Sequence, residues 1–196
     1  MISFLFAAAA AAVASFSGPI AHIDDYPEKL LREGKTGADR IEVVVAPSGE
    51  VLTCRILIPS RFLAFDEAAC RAAKRAKANP ASDQAGLKVH GVVKKWIAWM
   101  TGPIPPALSA DTILTVSKMP EGIKDGSITE LALVVDESGK IASCDVEKSS
   151  GSDALDSAAC KEVVHSAHLP AALGQDGTPV RSVQGLNVQF KSKPVT

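Results

Sequence analysis

Apolar residues run unbroken from Leu131 to Val135, meet the turn signal Asp136-Glu137-Ser138-Gly139, and resume in alternation from Ile141 to Lys148. Ala142, Cys144 and Val146 share one side of that second run, and Ser143, Asp145 and Glu147 share the other. The pattern predicts two strands joined by a tight turn, a hairpin with one buried face. Ser149-Ser150-Gly151-Ser152-Asp153 then breaks the strand and offers Ser152 or Asp153 as a helix N-cap. Leu155, Ala159, Val163 and Ala167 recur every four residues, which predicts an amphipathic helix from Asp153 to about Ala167 with Cys160 beside its apolar stripe. Pro170 stops the helix, and Gly174 and Gly177 keep the next stretch irregular. A last strand alternates Val180, Ser182, Gln184, Leu186, Val188 and Phe190 against Arg181, Val183, Gly185, Asn187 and Gln189.

The order strand, strand, helix, strand occurs earlier as well. It reads as Ile41–Ala46, Val51–Ile58, a helix from about Ala64 to Lys77, and Val89–Trp99, where Lys94-Lys95 interrupts the alternation. Cys54 and Cys70 are sixteen positions apart, as are Cys144 and Cys160, and the second pair follows the first by ninety. At that offset Val44-Val45 aligns with Val134-Val135, Ser48-Gly49 with Ser138-Gly139, Ala68-Ala69-Cys70 with Ala158-Ala159-Cys160, and Pro80-Ala81 with Pro170-Ala171. The chain is a duplicated module. The predicted fold class is α+β: two tandem small domains, each β-β-α-β, with a three-stranded antiparallel sheet and one helix packed on it. Residues 24–100 and 111–193 form the two copies, and residues 101–110, with three prolines and a glycine, form a stiff linker.

Each copy has roughly 75–85 residues, a size at which one core is marginal and a covalent staple helps. A cysteine on the inward face of the second strand and one on the inward stripe of the crossing helix can come within disulfide reach. The predicted bridges are therefore Cys54–Cys70 and Cys144–Cys160. The N-terminus agrees with an oxidising destination. Met1 to Ala14 is uncharged, apolar and closes on the small-residue pattern Ala12-Val13-Ala14. It reads as a secretory signal cut after Ala14, or as a short anchor running to Ala21 and facing the periplasm. Either reading places the chain in the periplasm or outside the cell, where disulfides persist.

Composition removes several function classes. A formal net charge of -1 argues against a generic nucleic-acid binder. The first copy carries a net +3 and the second a net -4, a hint that the two have different surfaces or face each other. His165, His168 and Cys160 lack the spacing of a zinc site, and His22 and His90 are isolated. No cofactor is expected, since neither a P-loop nor a dinucleotide glycine pattern occurs, and no catalytic constellation or small-molecule substrate suggests itself. Asp66 and Asp156 near the helix starts are accounted for by the helix dipole, and Arg71, Lys74, Arg75 and Lys77 by a solvated helix face. Trp96 and Trp99 point to opposite faces of their strand, so at least one belongs to the core.

An ordered set of short motifs resembles the C-terminal domain of TonB, the periplasmic component that transmits energy to outer-membrane receptors. In the first copy these are Tyr26-Pro27, Gly34, Gly37, Ser48-Gly49-Glu50-Val51, Asp66-Glu67-Ala68-Ala69-Cys70, Pro80-Ala81 and Gly86-Leu87-Lys88-Val89. The second has Ser149-Ser150-Gly151, Leu155-Asp156, Ala158-Ala159-Cys160, Pro170-Ala171 and Gly177-Thr178-Pro179-Val180, but Met119-Pro120 in place of Tyr-Pro. Transducing TonB proteins also have a motor-coupled membrane helix and a long Pro-rich segment, and neither pattern is found here. The resemblance implies a non-enzymatic protein-binding module whose partner is an outer-membrane receptor segment added to a strand edge. The positions it points to are Tyr26, Pro27, Val93, Ile97, Trp99, Leu186, Val188 and Phe190. The alternative is a structural envelope protein whose sheets pair with each other or in a homodimer.

Overall fold

The computed structural model describes residues 9–99 and 110–193. Met1 to Ala8 of the leader and residues 101–109 of the linker lie outside the described residues. Along the chain, β1 is Ser15–Phe16, followed by a 3₁₀ turn at Ile23–Asp25, α1 at Glu28–Arg32, β2 at Gly37–Val45, β3 at Val51–Ile58 and α2 at Leu63–Arg75. Next come β4 (Ala78–Asn79), β5 (Ala81–Ser82), β6 (Lys88–Trp99) and β7 (Thr112–Val116). The second repeat supplies β8 (Ile128–Val135), β9 (Ile141–Lys148), α3 (Asp153–Ser166), β10 (Ala172–Leu173), β11 (Pro179–Val180) and β12 (Ser182–Ser192).

The fold is α+β in two similar halves, each a three-stranded antiparallel sheet under one helix. Each hairpin turn ends on a glycine in the left-handed region, Gly49 at φ 86° and Gly139 at φ 85°. A Cβ there would come within 2.4 Å of the Ala78 carbonyl oxygen, or within 2.6 Å of that of Leu169. Only glycine meets both the turn and the close backbone approach. Ser152 caps α3 by accepting the Leu155 N–H at 3.5 Å. The disulfides Cys54–Cys70 and Cys144–Cys160 join strand to helix over Cα separations of 5.5 and 5.7 Å.

The halves do not stand apart. One eight-stranded sheet runs β3-β2-β6-β12-β8-β9, with β5 added on β6 and β7 on β12. At the seam β6 and β12 are parallel, pairing His90 with Ser182, Gly91 with Val183 and Val92 with Gln184. Val93 lies opposite Val43 as Gln184 lies opposite Leu133, so Val93 and Gln184 are equivalent positions of the two repeats. The seam is therefore slipped by one residue, pairing Gly91 with the equivalent of Val92. Because side chains alternate faces along a strand, that slip turns one half over relative to the other.

The two helices accordingly lie on opposite faces of the common sheet. Beneath α2, Ile41, Val43, Val45, Val93, Ile97, Trp99, Phe65 and Ala69 form one core. Beneath α3, Leu131, Leu133, Val135, Leu186, Val188, Phe190 and Leu155 form the other. The reverse face of the second half, with Ala132, Val134 and Val183, joins the first core. Val44 and Val92 on the reverse face of the first half pack with Ala172 from the second. This corrects the expectation of one buried face for the Leu131–Val135 hairpin: all five residues are at most 1% exposed, because the sheet is covered on both sides.

Candidate functional site

Four of the predicted site positions are cysteines, and they form the two bridges just described. The remaining positions fall in two places with different prospects. Leu186, Val188 and Phe190 lie on β12, which is not an edge strand. One side of β12 pairs with β8 from Ser182 to Gln189, and the other pairs with β6 at 182–184 and with β7 at 188–192. The expectation that this strand offers a peptide its edge is corrected, because β7 already takes that place. The Val188 and Phe190 side chains are fully buried and fill the second core. Sequence reasoning passed over β7, although Thr112-Ile113-Leu114-Thr115-Val116 is rich in β-branched residues and carries the signal of a strand.

Val93, Ile97 and Trp99 follow one another along the inner face of β6, Tyr26 meets Trp99 at the end of the strand, and Pro27 precedes α1. The ladder between β6 and β12 covers His90 to Val92 on β6. β6 and β12 part there, and Asp111 sits in the fork. Its carboxylate takes Arg40 at 2.5 Å, Lys94 at 3.4 Å and the Asn187 N–H at 2.8 Å, tying the halves together with opposite charges. The Val93, Ile97 and Trp99 side chains are at most 5% exposed and belong to the core beneath α2.

An aromatic cluster fixes the end of the strand. The Trp99 ring stacks on Phe65 at 5.1 Å, and Tyr26 meets both rings edge-on, at 5.6 and 5.2 Å. The Tyr26 hydroxyl donates to the Lys35 carbonyl and lies 3.3 Å from that of Trp99. Beside it opens a cleft of about 420 Å³ lined by Ile23, Tyr26, Leu31, Thr36, Ala98 and Trp99. Ile23 is 65% exposed and Leu31 47%, an apolar rim next to a strand end. Neither was singled out in the sequence, where they read as ordinary members of a short polar segment. Met119, at the position matching Tyr26, packs into the second core instead. Trp96, on the opposite face from Trp99, is half-buried, with the Arg40 guanidinium 6.0 Å from its ring.

Two buried carboxylates organise the halves unequally. Asp156 accepts hydrogen bonds from Ser149 Oγ at 2.5 Å, Ser150 N–H at 2.9 Å and Ser150 Oγ at 2.8 Å, and from the Thr129 hydroxyl. Burial alone would raise its pKa, but these donors outweigh burial and hold the carboxyl below the usual range. Asp66 plays the matching part in the first half by accepting the Ser60 N–H at 2.8 Å. The position equivalent to Thr129 is Asp39, however, fully buried, with Oδ2 accepting the Trp99 indole N–H at 2.7 Å and Oδ1 without a hydrogen-bond partner. Burial pushes the Asp39 carboxyl up to about 6 against the lowering effect of the Trp99 indole, and the Asp66 charge adds to the rise.

His165 and His168 are exposed, and among the described residues no group of three His, Cys, Asp or Glu side chains could hold a metal ion. Arg71 and Arg75 pair with Glu67 and Asp25 on the exposed face of α2. No helix among the described residues is long and apolar enough to cross a membrane.

Two strand-strand-helix-strand units, each clamped by a disulfide, are joined by their last strands into one sheet. The sequence matches the family described as Gram-negative bacterial TonB protein C-terminal over residues 24–99 and again over 124–192, and the chain belongs to that family. The family is a non-enzymatic domain associated with the cell envelope, and its members interact with proteins. No curated protein and no solved structure matches the chain.

Proposed function

We infer that this is a non-enzymatic periplasmic module that binds a partner protein, such as a segment of an outer-membrane receptor, by seating an apolar side chain in the cleft beside Tyr26 and the end of β6. The observation that carries the reading is the exposed apolar cleft of Ile23, Leu31 and Tyr26 beside the end of β6 at Ala98 and Trp99. A partner segment laid over this cleft would bury an apolar side chain against Ile23 and Leu31 and exclude water from the rim. The Leu186–Phe190 stretch contributes burial beneath α3 rather than partner contacts.

Hydrogen exchange with a synthetic receptor peptide tests this. New protection in the segment 23–36 that lines the cleft is expected, together with binding weakened about tenfold by Ile23→Asp. Protection that is already complete without peptide, or that appears on β3 or β9 instead, would refute it.

A second reading, a structural envelope component, is favoured by the β6–β12 seam. The last strands of the two repeats satisfy each other, as the partner of a single repeat otherwise would. It requires no peptide and no energy transmission. Sedimentation of the purified protein with and without the peptide separates the two readings.

A further inference from the structure

Turning one half over leaves each half with a sheet face that carries no helix. On the second half that face presents Ala132, Val134 and Val183, each at most 1% exposed. They are covered by the N-terminal segment, in which Ala11 is 3% exposed and Ala14 1%, with Val13 packed beside them. The segment is held by main-chain bonds as well as by apolar contact. Ala12 N–H donates to the Ser82 carbonyl at 2.9 Å, and Ser82 N–H returns a bond to the Ala12 carbonyl at 3.0 Å. Ser15 and Phe16 pair with Asn79 and Ala78. Ala11 N–H reaches Asp145 Oδ2 at 3.2 Å, where Gln84 Nε2 also donates at 3.0 Å.

The sheet beneath is shaped for this passage. A Cβ on Gly91 would lie 2.5 Å from the Ala14 Cβ, and one on Gly185 would lie 3.5 Å from Val13 Cγ1. Gly91 thus leaves room for Ala14 to pass close over the seam, whereas Gly185 lies at ordinary contact distance from Val13, and the segment there is mostly alanine.

Local sequence does not choose one processing site, since the alanines from Ala7 to Ala14 offer several Ala-x-Ala sites. Cutting after Ala14 would remove Ala11, Val13 and Ala14 and bare Ala132, Val134 and Val183 to water. We propose that Ala11–Phe16 is a permanent strand of the folded protein and that the leader is removed before Ala11, not after Ala14. The step is peptide hydrolysis by an envelope signal peptidase. Water adds across the bond, the leader departs with the new carboxylate, and the protein keeps the new amine. If the cut falls after Ala10, that amine is an ammonium facing Asp145, and an ion pair replaces the amide hydrogen bond.

The processing part rests on the periplasmic reading above, whereas the retained strand does not. Intact mass and N-terminal sequencing of the full chain exported to the periplasm of a Gram-negative host give the answer. A first residue at Ala11 or earlier is the expected result, and a start anywhere beyond Ala11 overturns the proposal. An uncut chain would uphold the retained strand while overturning the leader reading. A second measurement compares versions starting at Ala11 and at Ser15 behind one foreign leader. The shorter version is expected to melt roughly 5–10 °C lower and to lose amide protection at Ser82. Addition of a synthetic peptide spanning Ala11 to Ser17 should restore that protection. Equal melting with Ser82 equally protected in both versions would also overturn the proposal.

Discussion

Replacing Asp39 by Asn should stabilise the protein at neutral pH and leave its stability nearly unchanged at pH 4. Asp39 is fully buried, keeps one oxygen on the Trp99 indole at 2.7 Å and leaves the other without a hydrogen-bond partner. Its carboxyl stands at about 6 in the fold, against about 3.9 in an unfolded chain. The folded state therefore holds the proton more tightly than the unfolded state. Below about pH 4 both states are protonated and the difference has no effect on stability. As the pH rises from there to 6 the folded protein loses stability, and above 6 the full penalty of about 3 kcal/mol is present. Asparagine preserves an acceptor for Trp99 without a charge to oppose that of Asp66. Urea unfolding of both proteins at closely spaced pH values isolates the effect, because titrating groups that do not interact with Asp39 cancel in the difference. A gain near zero at pH 4, growing to about 3 kcal/mol by pH 7.5, is expected, or roughly 6–12 °C in melting temperature for a chain of this size. A difference independent of pH, or a loss of stability at pH 7.5, would refute the assignment of a raised pKa to this carboxyl.

The opposite sign is expected at Asp156, whose pKa is depressed: Asp156→Ala should cost about 2–4 kcal/mol at pH 7, a deficit that shrinks as the wild-type protein is titrated below pH 4. Non-reducing peptide mapping should recover Cys54 with Cys70 and Cys144 with Cys160, and the double replacement Cys144→Ser/Cys160→Ser should lower stability by about 3 kcal/mol in denaturant titrations. Gly139→Ala must place a methyl 2.6 Å from the Leu169 carbonyl oxygen at a φ of 85°, so calorimetry should show a loss well above the roughly 1 kcal/mol of a solvent-exposed glycine site.

Much of the local structure was legible in the sequence. Alternation and four-residue periodicity placed β3 and β9 without error at Val51–Ile58 and Ile141–Lys148, and α3 to within a residue at its C-terminus. The cysteine spacing found both bridges, because strand, turn and helix are contiguous in each repeat and their geometry follows from local rules. β7 and α1 were missed as short segments whose role depends on what they pack against. The candidate site was half legible. Tyr26, Ile97 and Trp99 do meet, but Ile23 and Leu31 become a cleft rim only when the chain before α1 is laid beside the end of β6.

From the sequence alone follow the double occurrence of one β-β-α-β unit and the place where each staple closes. Those are consequences of period, turn chemistry and short-range geometry, which a single stretch of chain carries in full. The tertiary structure decided that the last strands join in parallel with a one-residue slip, that the helices fall on opposite faces, and that an alanine segment covers the face left bare. Strand pairing uses backbone groups that every strand has, so side-chain pattern alone does not name the partner. The one trace of it in the sequence was the unbroken run Leu131–Val135, apolar on both faces because both are buried. Only the assembled sheet shows that β12 is an interior strand, paired on both sides.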